Sequence, residues 1–455
     1  MRVTNLNPDD AIGASAWYVN TGEHGILLDA GTHPKREGLD ALPTYRLLES
    51  EHVDAIAVSH CHHDHLGSLP VALRYFPQAR VYMTESSYLV AERVLHNSVN
   101  VMMRQREEKG IKEYPLYTHE DVEDYDPVME GIPYRKKVYW SGHGPSDRKG
   151  PSLEFHDAGH VLGSAGVMID TPGQTLFYSG DVCFHDQTIQ KGAQYNGIRC
   201  DTLILETTRG DAETKPGFSR ASELGRLADA IEKVLARKGC VLIPAFALGR
   251  TQEMLAMLAL MMREGRLKDQ IVYVGGLGKV FTELYDVESL RANRNHRDLK
   301  LTEALDLQVA TKEIPRMSLG SGKIFVLTSG MLNENTASHD MAVRLLPEAR
   351  HGIFFVGYTD PDSPGGRLRG SKLGEPFILS ADAGKCTRRC DVDHFDLTAH
   401  ALREDLLEFA VATGAKTVIL GHGDPAARQW FVGQLKNRCP NVKVVSPLPG
   451  ETVQA

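Results

Sequence analysis

The chain has 455 residues, which is too long for one ordinary hydrophobic core and predicts at least two domains. Hydrophobic residues make up 42% and charged residues 24%, the proportions expected of a soluble globular protein. The net charge of −8 argues against a protein that coats nucleic acid nonspecifically. It does not exclude a local basic cleft, because steering depends on where the charges lie.

The termini and cysteines give no sign of export or membrane insertion. The N-terminal residues MRVTNLNPDD contain no apolar stretch after a basic one, and no apolar run is long enough to span a bilayer. The seven cysteines are scattered and odd in number, so they do not suggest a disulfide framework. These features predict a cytoplasmic protein that does not associate with a membrane.

The most informative stretch is VDAIAVSHCHHDHLGSLP, residues 53–70, which predicts a buried strand followed by a helix start. Residues two apart in an extended chain point the same way, so His60 and His62 can hold one metal ion together. As the chain turns into the helix, Asp64 and His65 reach a neighbouring point and can hold a second ion. Imidazole and carboxylate ligands suit zinc.

Further polar residues stand at the ends of predicted strands. SLEFHDAGH ends at His160, TLFYSGD ends at Asp181, and DTLILE ends at Glu206. An earlier pair of strands, AWYVNTGEHGILLDAG, ends at Asp29. Two later segments, LTAHALREDLLEF and TVILGHGD, contain His400 and His422. Between these two groups the composition changes.

This middle region opens with an amphipathic helix, predicted over Ser219–Lys238. Four strands are predicted after it, most of them separated by helical stretches: Cys240–Ile243, Ile271–Val274, Lys323–Leu327 and Ile353–Val356. Such a rhythm of strand and helix predicts a second, mostly parallel sheet with helices on its faces.

In this order the motifs resemble the metallo-β-lactamase fold and, within it, the β-CASP family of ribonucleases. The segments PAFALGRTQEML and TSGML resemble β-CASP sequences closely, and the resemblance covers almost the whole chain. It implies an α/β protein: a metallo-β-lactamase αββα sandwich with an inserted β-CASP α/β domain. We predict the first part of the sandwich over residues 1–207, the insert over 208–372 and the return segment over 373–455.

The resemblance also implies two zinc ions per chain and their ligands. His60, His62 and His160 would hold the first ion, Asp64, His65 and His422 the second, and Asp181 would bridge them. Asp29 matches a carboxylate that orients a ligand histidine from outside the metal site.

The resemblance further implies how the site would cleave a phosphodiester. The ions would activate a water, with Asp64 counted among the catalytic residues. His400 would be the general acid that protonates the leaving oxygen, and Glu206 would hold it oriented and charged.

Substrate contacts are predicted at strand ends of the insert. Ser329, Gly330 and Arg250 are candidates for holding phosphate, although ordinary tight turns would give the same pattern. Single-stranded RNA is the predicted partner, and a homodimer is left open.

Three other functions compete with an RNA-cleaving enzyme. A DNA nuclease of the same family typically has an aliphatic residue where this chain has His422, so the histidine favours RNA. A hydrolase of small thioesters or lactones does not need the insert or the pair of Glu206 and His400. A noncatalytic scaffold usually loses metal ligands, and this chain has lost none.

Overall fold

The computed structural model describes residues 1–140, 150–310, 317–320 and 322–455. The segment SGHGPSDR, whose glycine and proline content predicts an exposed loop with a solvated His143, lies outside these residues. Clustering of contacts divides the chain into two compact units. The first contains Met1–His185, Gly192–Thr214 and His400–Ala455, and the second contains Asp186–Lys191 and Lys215–Ala399.

The first unit starts with eleven strands and four helices. The strands are β1 (Arg2–Asn5), β2 (Trp17–Asn20), β3 (Gly25–Leu28), β4 (Ala55–Ala57), β5 (Arg80–Thr84), β6 (Met129–Ile132), β7 (Val138–Tyr139), β8 (Ser152–Asp157), β9 (Ala165–Thr171), β10 (Gln174–Tyr178) and β11 (Thr202–Glu206). The helices are α1 (His63–Leu66), α2 (Leu69–Tyr75), α3 (Glu85–Lys109) and α4 (His119–Tyr125).

The second unit follows. Its strands are β12 (Val241–Pro244), β13 (Val272–Val274), β14 (Leu307–Val309), β15 (Ile324–Leu327), β16 (Gly352–Phe355), β17 (Pro376–Ile378), β18 (Lys385–Thr387) and β19 (Asp391–His394). Its helices are α5 (Arg220–Ala236), α6 (Arg250–Arg263), α7 (Gly276–Val287), α8 (Leu301–Ala304), α9 (Ala337–Leu345) and α10 (Pro364–Gly370).

The chain then completes the first unit. The last elements are α11 (Arg403–Thr413), β20 (Thr417–Gly421), α12 (Pro425–Arg438), β21 (Lys443–Val445) and β22 (Thr452–Gln454). None of the helices in the described part of the chain combines the length and the apolar character needed to cross a bilayer.

Two seven-stranded sheets form the first unit. Their strand orders are β22-β1-β2-β3-β4-β5-β6 and β21-β20-β11-β10-β9-β8-β7. Buried side chains from both sheets, such as Trp17, Ile26, Phe155 and Val167, form one hydrophobic core. A second core joins β10, β11 and β20 to helices α11 and α12. This is the predicted αββα sandwich.

The second unit is built on one parallel sheet, with strand order β14-β13-β15-β12-β16-β19. Helix α5 starts where the sequence predicts it, because the Ser219 side chain accepts a hydrogen bond from the N–H of Ser222. Its buried face includes Leu227, Ile231 and Val234. A small antiparallel pair, β17 and β18, accompanies the main sheet.

The return to the first unit lies later than predicted. Residues 373–399 were expected in the sandwich, but β19 pairs in parallel with β16 and so extends the second sheet. The first unit resumes only at His400. The segment Asp360–Pro364, which departs from β-CASP sequences, leads into α10: the carbonyl of Asp360 accepts hydrogen bonds from Ser363, which caps the helix.

Candidate metal centre

Three histidines converge near the carboxyl end of β4. His60 follows that strand, and His62 is the residue that precedes α1. His62 Nδ1 lies 3.2 Å from His60 Nε2 and 3.2 Å from His160 Nε2. Nitrogen ligands about 2.0–2.1 Å from a tetrahedral zinc ion would be separated by about 3.3 Å. The three imidazoles therefore fit one ion.

A second group lies beside the first. His422 Nε2 is 3.1 Å from His65 Nε2 and 3.3 Å from Asp64 Oδ2. All three ligand atoms lie within 4.8 Å of one another, as expected of side chains around one cation. The six side chains thus form the two triads that the sequence predicted.

Asp181 lies between the two triads. Its Oδ2 is 3.7 Å from His60 Nε2 and 3.8 Å from His160 Nε2. Its Oδ1 is 3.4 Å from His65 Nε2 and 3.2 Å from His422 Nδ1. This Oδ1 is buried and accepts no hydrogen bond from the described residues. A carboxylate with one oxygen facing each triad fits a bridging ligand, so the donor set as a whole suits a pair of ions.

Asp29 belongs to neither triad but contacts the ligand histidine His65. Its carboxylate is fully buried and lies 2.7 Å from His65 Nδ1. It accepts hydrogen bonds from the Ser59 N–H at 2.6 Å, the Ser59 hydroxyl at 2.8 Å and the Tyr178 hydroxyl at 2.6 Å. The Ser59 hydroxyl also lies 3.1 Å from His60 Nδ1. Asp29 therefore has the predicted position of a carboxylate that orients a ligand histidine.

The local backbone is adapted to this arrangement. Asp29 and His422 have φ values of 62° and 46°, in the left-handed region that non-glycine residues rarely adopt. At Gly31 a Cβ atom would lie 1.8 Å from the carbonyl oxygen of Asp64, so only glycine allows these segments to approach so closely. Such constraints fix the positions of side chains on different elements.

Opposite charges lie close together in this cluster. Burial and the neighbouring His65 imidazole lower the pKa of His60 well below its ordinary value. At His65 burial also lowers the pKa, but the carboxylates of Asp181 and Asp29 outweigh it and raise that pKa well above its ordinary value. Burial alone would raise the pKa of Asp181, but the imidazoles of His422 and His65 outweigh it and hold that pKa well below its usual range. The bridging position therefore carries a negative charge.

Glu206 and His400 lie together at the edge of this cluster. His400 Nδ1 is 3.4 Å from Glu206 Oε1, and the ring centres of His400 and His160 are 4.6 Å apart. Glu206 is buried and also accepts a hydrogen bond at 2.8 Å from the N–H of Val182, the residue after Asp181. The side chain of His400 is 18% exposed. The structure thus brings this predicted pair together.

Three residues near the site were not predicted. Ser59 and Tyr178 contact Asp29, and the Thr208 hydroxyl lies 3.1 Å from His422 Nδ1. Ser59 immediately precedes His60, and Thr208 lies two residues after Glu206, so their proximity to the motifs was an available signal. Tyr178 ends a strand that reads as ordinary core, and the sequence offers no signal for its role.

The predicted phosphate contacts lie in the second unit. Arg250 is buried, and its guanidinium donates a 2.5 Å hydrogen bond to the carbonyl of Leu397 and another to the side chain of Gln187. Ser329 is half-buried, and its hydroxyl accepts a hydrogen bond from the N–H of Asn333. A role in holding phosphate stays a prediction for all three residues, Gly330 included.

The sandwich and its two facing triads define a class: α/β proteins whose histidines and carboxylates at strand ends form a metal-binding cluster. Comparison with family models agrees. Residues 9–230 match the metallo-beta-lactamase superfamily, residues 251–368 the Beta-Casp domain, and residues 386–445 the Zn-dependent metallo-hydrolase RNA specificity domain. The chain therefore carries a metallo-β-lactamase domain and a β-CASP domain, which confirms the resemblance and the fold predicted from its motifs.

Curated relatives are similar along most of the chain. The endoribonuclease YSH1 of Eremothecium gossypii is 26% identical over 437 residues, covering 93% of this chain and 55% of the relative. The YSH1 of Saccharomyces cerevisiae is 27% identical, covering 92% and 54%. The ysh-1 endoribonuclease of Neurospora crassa is 29% identical, covering 92% and 52%. The chain therefore spans about half the length of these relatives.

A solved structure also resembles the whole chain. A protein of unknown function from Enterococcus faecalis aligns with a TM-score of 0.57 and 13% identity, covering 99% of both chains. At this identity the similarity supports the fold alone.

Proposed function

We propose that this protein is a zinc-dependent ribonuclease that hydrolyses phosphodiester bonds of single-stranded RNA. The observation that carries the proposal is a histidine and carboxylate pair beside the metal cluster but outside both triads. His400 lies 3.4 Å from Glu206 and 4.6 Å, between ring centres, from His160. Because neither residue belongs to a triad, the pair can supply a proton next to the metal centre without also serving as a metal ligand.

Two zinc ions held by the triads and Asp181 would ionise an attacking water near neutral pH and neutralise charge on the phosphate. The protein's own contribution is to fix the ligand atoms before substrate binds. Asp181 presents one oxygen to each triad, and Asp29 holds the ring of His65 through Nδ1, leaving Nε2 toward the cluster.

His400 would complete the reaction by donating a proton. Its Nδ1 faces Glu206, so Nδ1–H can donate to that carboxylate while Nε2 carries the proton for the leaving oxygen. A leaving alkoxide needs this proton, and imidazole is the side chain that most often supplies one in general acid catalysis. Glu206 would stabilise the protonated ring by its charge.

Two observations support RNA as the substrate: the comparisons with known proteins, and the pair of His400 and Glu206. The relatives of similar sequence are named endoribonucleases, and the matched C-terminal model is described as an RNA specificity domain. We infer cleavage within RNA chains, through a step in which a water rather than the ribose 2′-hydroxyl attacks phosphorus. A thioester hydrolase would have less use for His400, because a thiolate leaving group needs less protonation than an alkoxide.

The decisive experiment incubates the purified protein with end-labelled single-stranded RNA and with DNA of the same sequence. We expect internal cuts in RNA in preference to DNA, leaving a 5′-phosphate and a 3′-hydroxyl. A 2′,3′-cyclic phosphate product would contradict attack by water, and equal or faster cutting of DNA would contradict the proposed substrate. The zinc identity of the metal, the number of two ions, the cytoplasmic location and the homodimer stay predictions.

A further inference from the structure

Two aromatic side chains of the second unit are exposed, and both follow neighbouring strands of its parallel sheet. Phe246 comes two residues after β12 and is 38% exposed, and Tyr358 comes three residues after β16 and is 49% exposed. The unit's other described aromatic side chains are buried or half-buried. Leaving aromatic rings in water forgoes their large hydrophobic stabilisation, so this pair calls for a reason outside the folded core.

The sheet topology places the two rings at one edge. Strand β12 pairs with β15 on one side and β16 on the other, all in parallel. Parallel strands lie about 4.8 Å apart, and the residues after their carboxyl ends share one edge of the sheet. Phe246 is therefore central, with Ser329 and Gly330 following β15 on one side and Tyr358 following β16 on the other.

Small residues keep the rings accessible. A Cβ atom at Gly330 would lie 3.4 Å from a ring carbon of Phe246, so a larger side chain there would crowd the ring. Tyr358 is preceded by Gly357, where a Cβ atom would lie 3.7 Å from Cδ of Arg250. The aliphatic Cδ of Arg250 thus lies beside the loop that carries the exposed tyrosine, while the Arg250 guanidinium is bound by Leu397 and Gln187.

We propose that Phe246 and Tyr358 form a base-stacking platform, which holds two unpaired nucleobases of single-stranded RNA. Exposed aromatic faces on which bases can stack are a feature with which proteins bind single strands without reading sequence. A docking surface for a protein would need a contiguous apolar patch, whereas Ser329 and Gly330 flank Phe246 on the side away from Tyr358. The inference rests on the proposed function, since it assigns contacts to the RNA substrate.

The test compares RNA with a substrate that has no base. Phe246→Leu and Tyr358→Leu keep apolar volume but remove the aromatic face. Each should raise KM for a labelled single-stranded oligoribonucleotide about 5- to 150-fold, from 1–3 kcal/mol of stacking per base. The KM for a fully abasic oligoribonucleotide should not change, because this substrate has no base to stack.

Conservative variants and abasic RNA separate stacking from a structural role. Phe246→Tyr and Tyr358→Phe should keep the unmodified KM, as should Leu290→Ser, which alters a residue of the same unit that is 75% exposed. Oligonucleotides with one base removed at successive positions should bind the unmodified protein more weakly at two positions. When the base removed is the one that a given ring holds, the leucine variant of that ring should bind the abasic oligonucleotide no more weakly than the unmodified protein does.

Distinct outcomes would overturn the platform and the proposed function. Unchanged KM in both leucine variants, or equal losses on intact and fully abasic RNA, would refute stacking. A change in oligomeric state of the leucine variants, measured by light scattering, would instead make this edge an interface between copies and also refute it. If the unmodified protein hydrolyses bis(p-nitrophenyl) phosphate but neither cuts nor binds RNA, the RNA substrate itself is wrong.

Discussion

Two parts of the site in the first unit are built differently: the ligand side, where Asp29 contacts His65, and the proposed acid side, formed by His400 and Glu206. Asp29, behind the ligands, is fully buried and engaged by Ser59, Tyr178 and His65 at 2.6–2.8 Å. His400, on the acid side, is 18% exposed and lies 3.4 Å from Glu206. Groups that hold ions gain from being fixed in advance, whereas a group that transfers a proton must meet substrate and solvent. The predictions below test this division.

The largest effect is expected on the ligand side. His62→Ala removes the imidazole that contacts both His60 and His160, so the purified variant should lose metal and activity together. Activity should fall by more than about 10⁴-fold, beyond what a positioned acid supplies. Elemental analysis of the unmodified protein should give two zinc ions per chain, and one ion or none in a well-folded sample would contradict the assignment.

His156→Ala is the matched control for this prediction. His156 is a buried histidine of the same unit whose Nε2 lies 3.1 Å from Glu154, and it belongs to neither triad. Its loss should lower stability while keeping the metal. Equal metal loss in the two variants would show that any damage to the sandwich releases the ions.

On the acid side, His400→Ala should separate activity from metal. The variant should keep the fold and both ions but lose about 10²–10⁴ in rate. A substrate with a better leaving group than an alkoxide, such as a p-nitrophenyl ester, needs less protonation and should partly rescue it. Full activity of His400→Ala on RNA, or loss of zinc from it, would refute the role of general acid.

Glu206→Gln should cost less than His400→Ala, about tenfold in rate, since it removes charge and orientation but no transferable proton. The amide oxygen can still accept the hydrogen bond from the Val182 N–H, so the loop after Asp181 should keep its position. Residues that act as one unit are not additive. The double variant should therefore lose little more rate than His400→Ala alone. A loss equal to the product of the two single-variant losses would contradict the pairing of His400 with Glu206.

The sequence predicts much of the site because its chemistry is local. His60, His62, Asp64 and His65 lie within six consecutive positions after a strand, so their convergence follows from strand and helix geometry. The residues that complete the triads, His160 and His422, required knowledge of which strands are neighbours. That knowledge came from the family resemblance and not from spacing.

Two features could not be predicted for physical reasons. The sequence predicts the return to the first unit at residue 373. The segment that forms β18 and β19 has the alternating side-chain pattern of a strand, but that pattern does not reveal which strand it pairs with. The sequence gives no signal for Tyr178, because a tyrosine at the end of a core strand is usually a residue that only packs in the core. Its hydroxyl reaches Asp29 only through pairing of distant segments.

The smallest effect is expected from Tyr178→Phe, which removes one of the three hydrogen bonds that Ser59 and Tyr178 donate to Asp29. The carboxylate keeps Ser59, so His65 should stay oriented but less firmly. Zinc affinity should fall about tenfold, the low end for partners behind metal ligands. Tyr45→Phe is the control, because it removes a buried 2.7 Å contact to the Ser68 hydroxyl. Both variants should lose about 1 kcal/mol of unfolding free energy in the metal-free protein. Only Tyr178→Phe should weaken zinc binding in competition with a chelator, and equal affinities of the two variants would show that Asp29 does not depend on this hydroxyl.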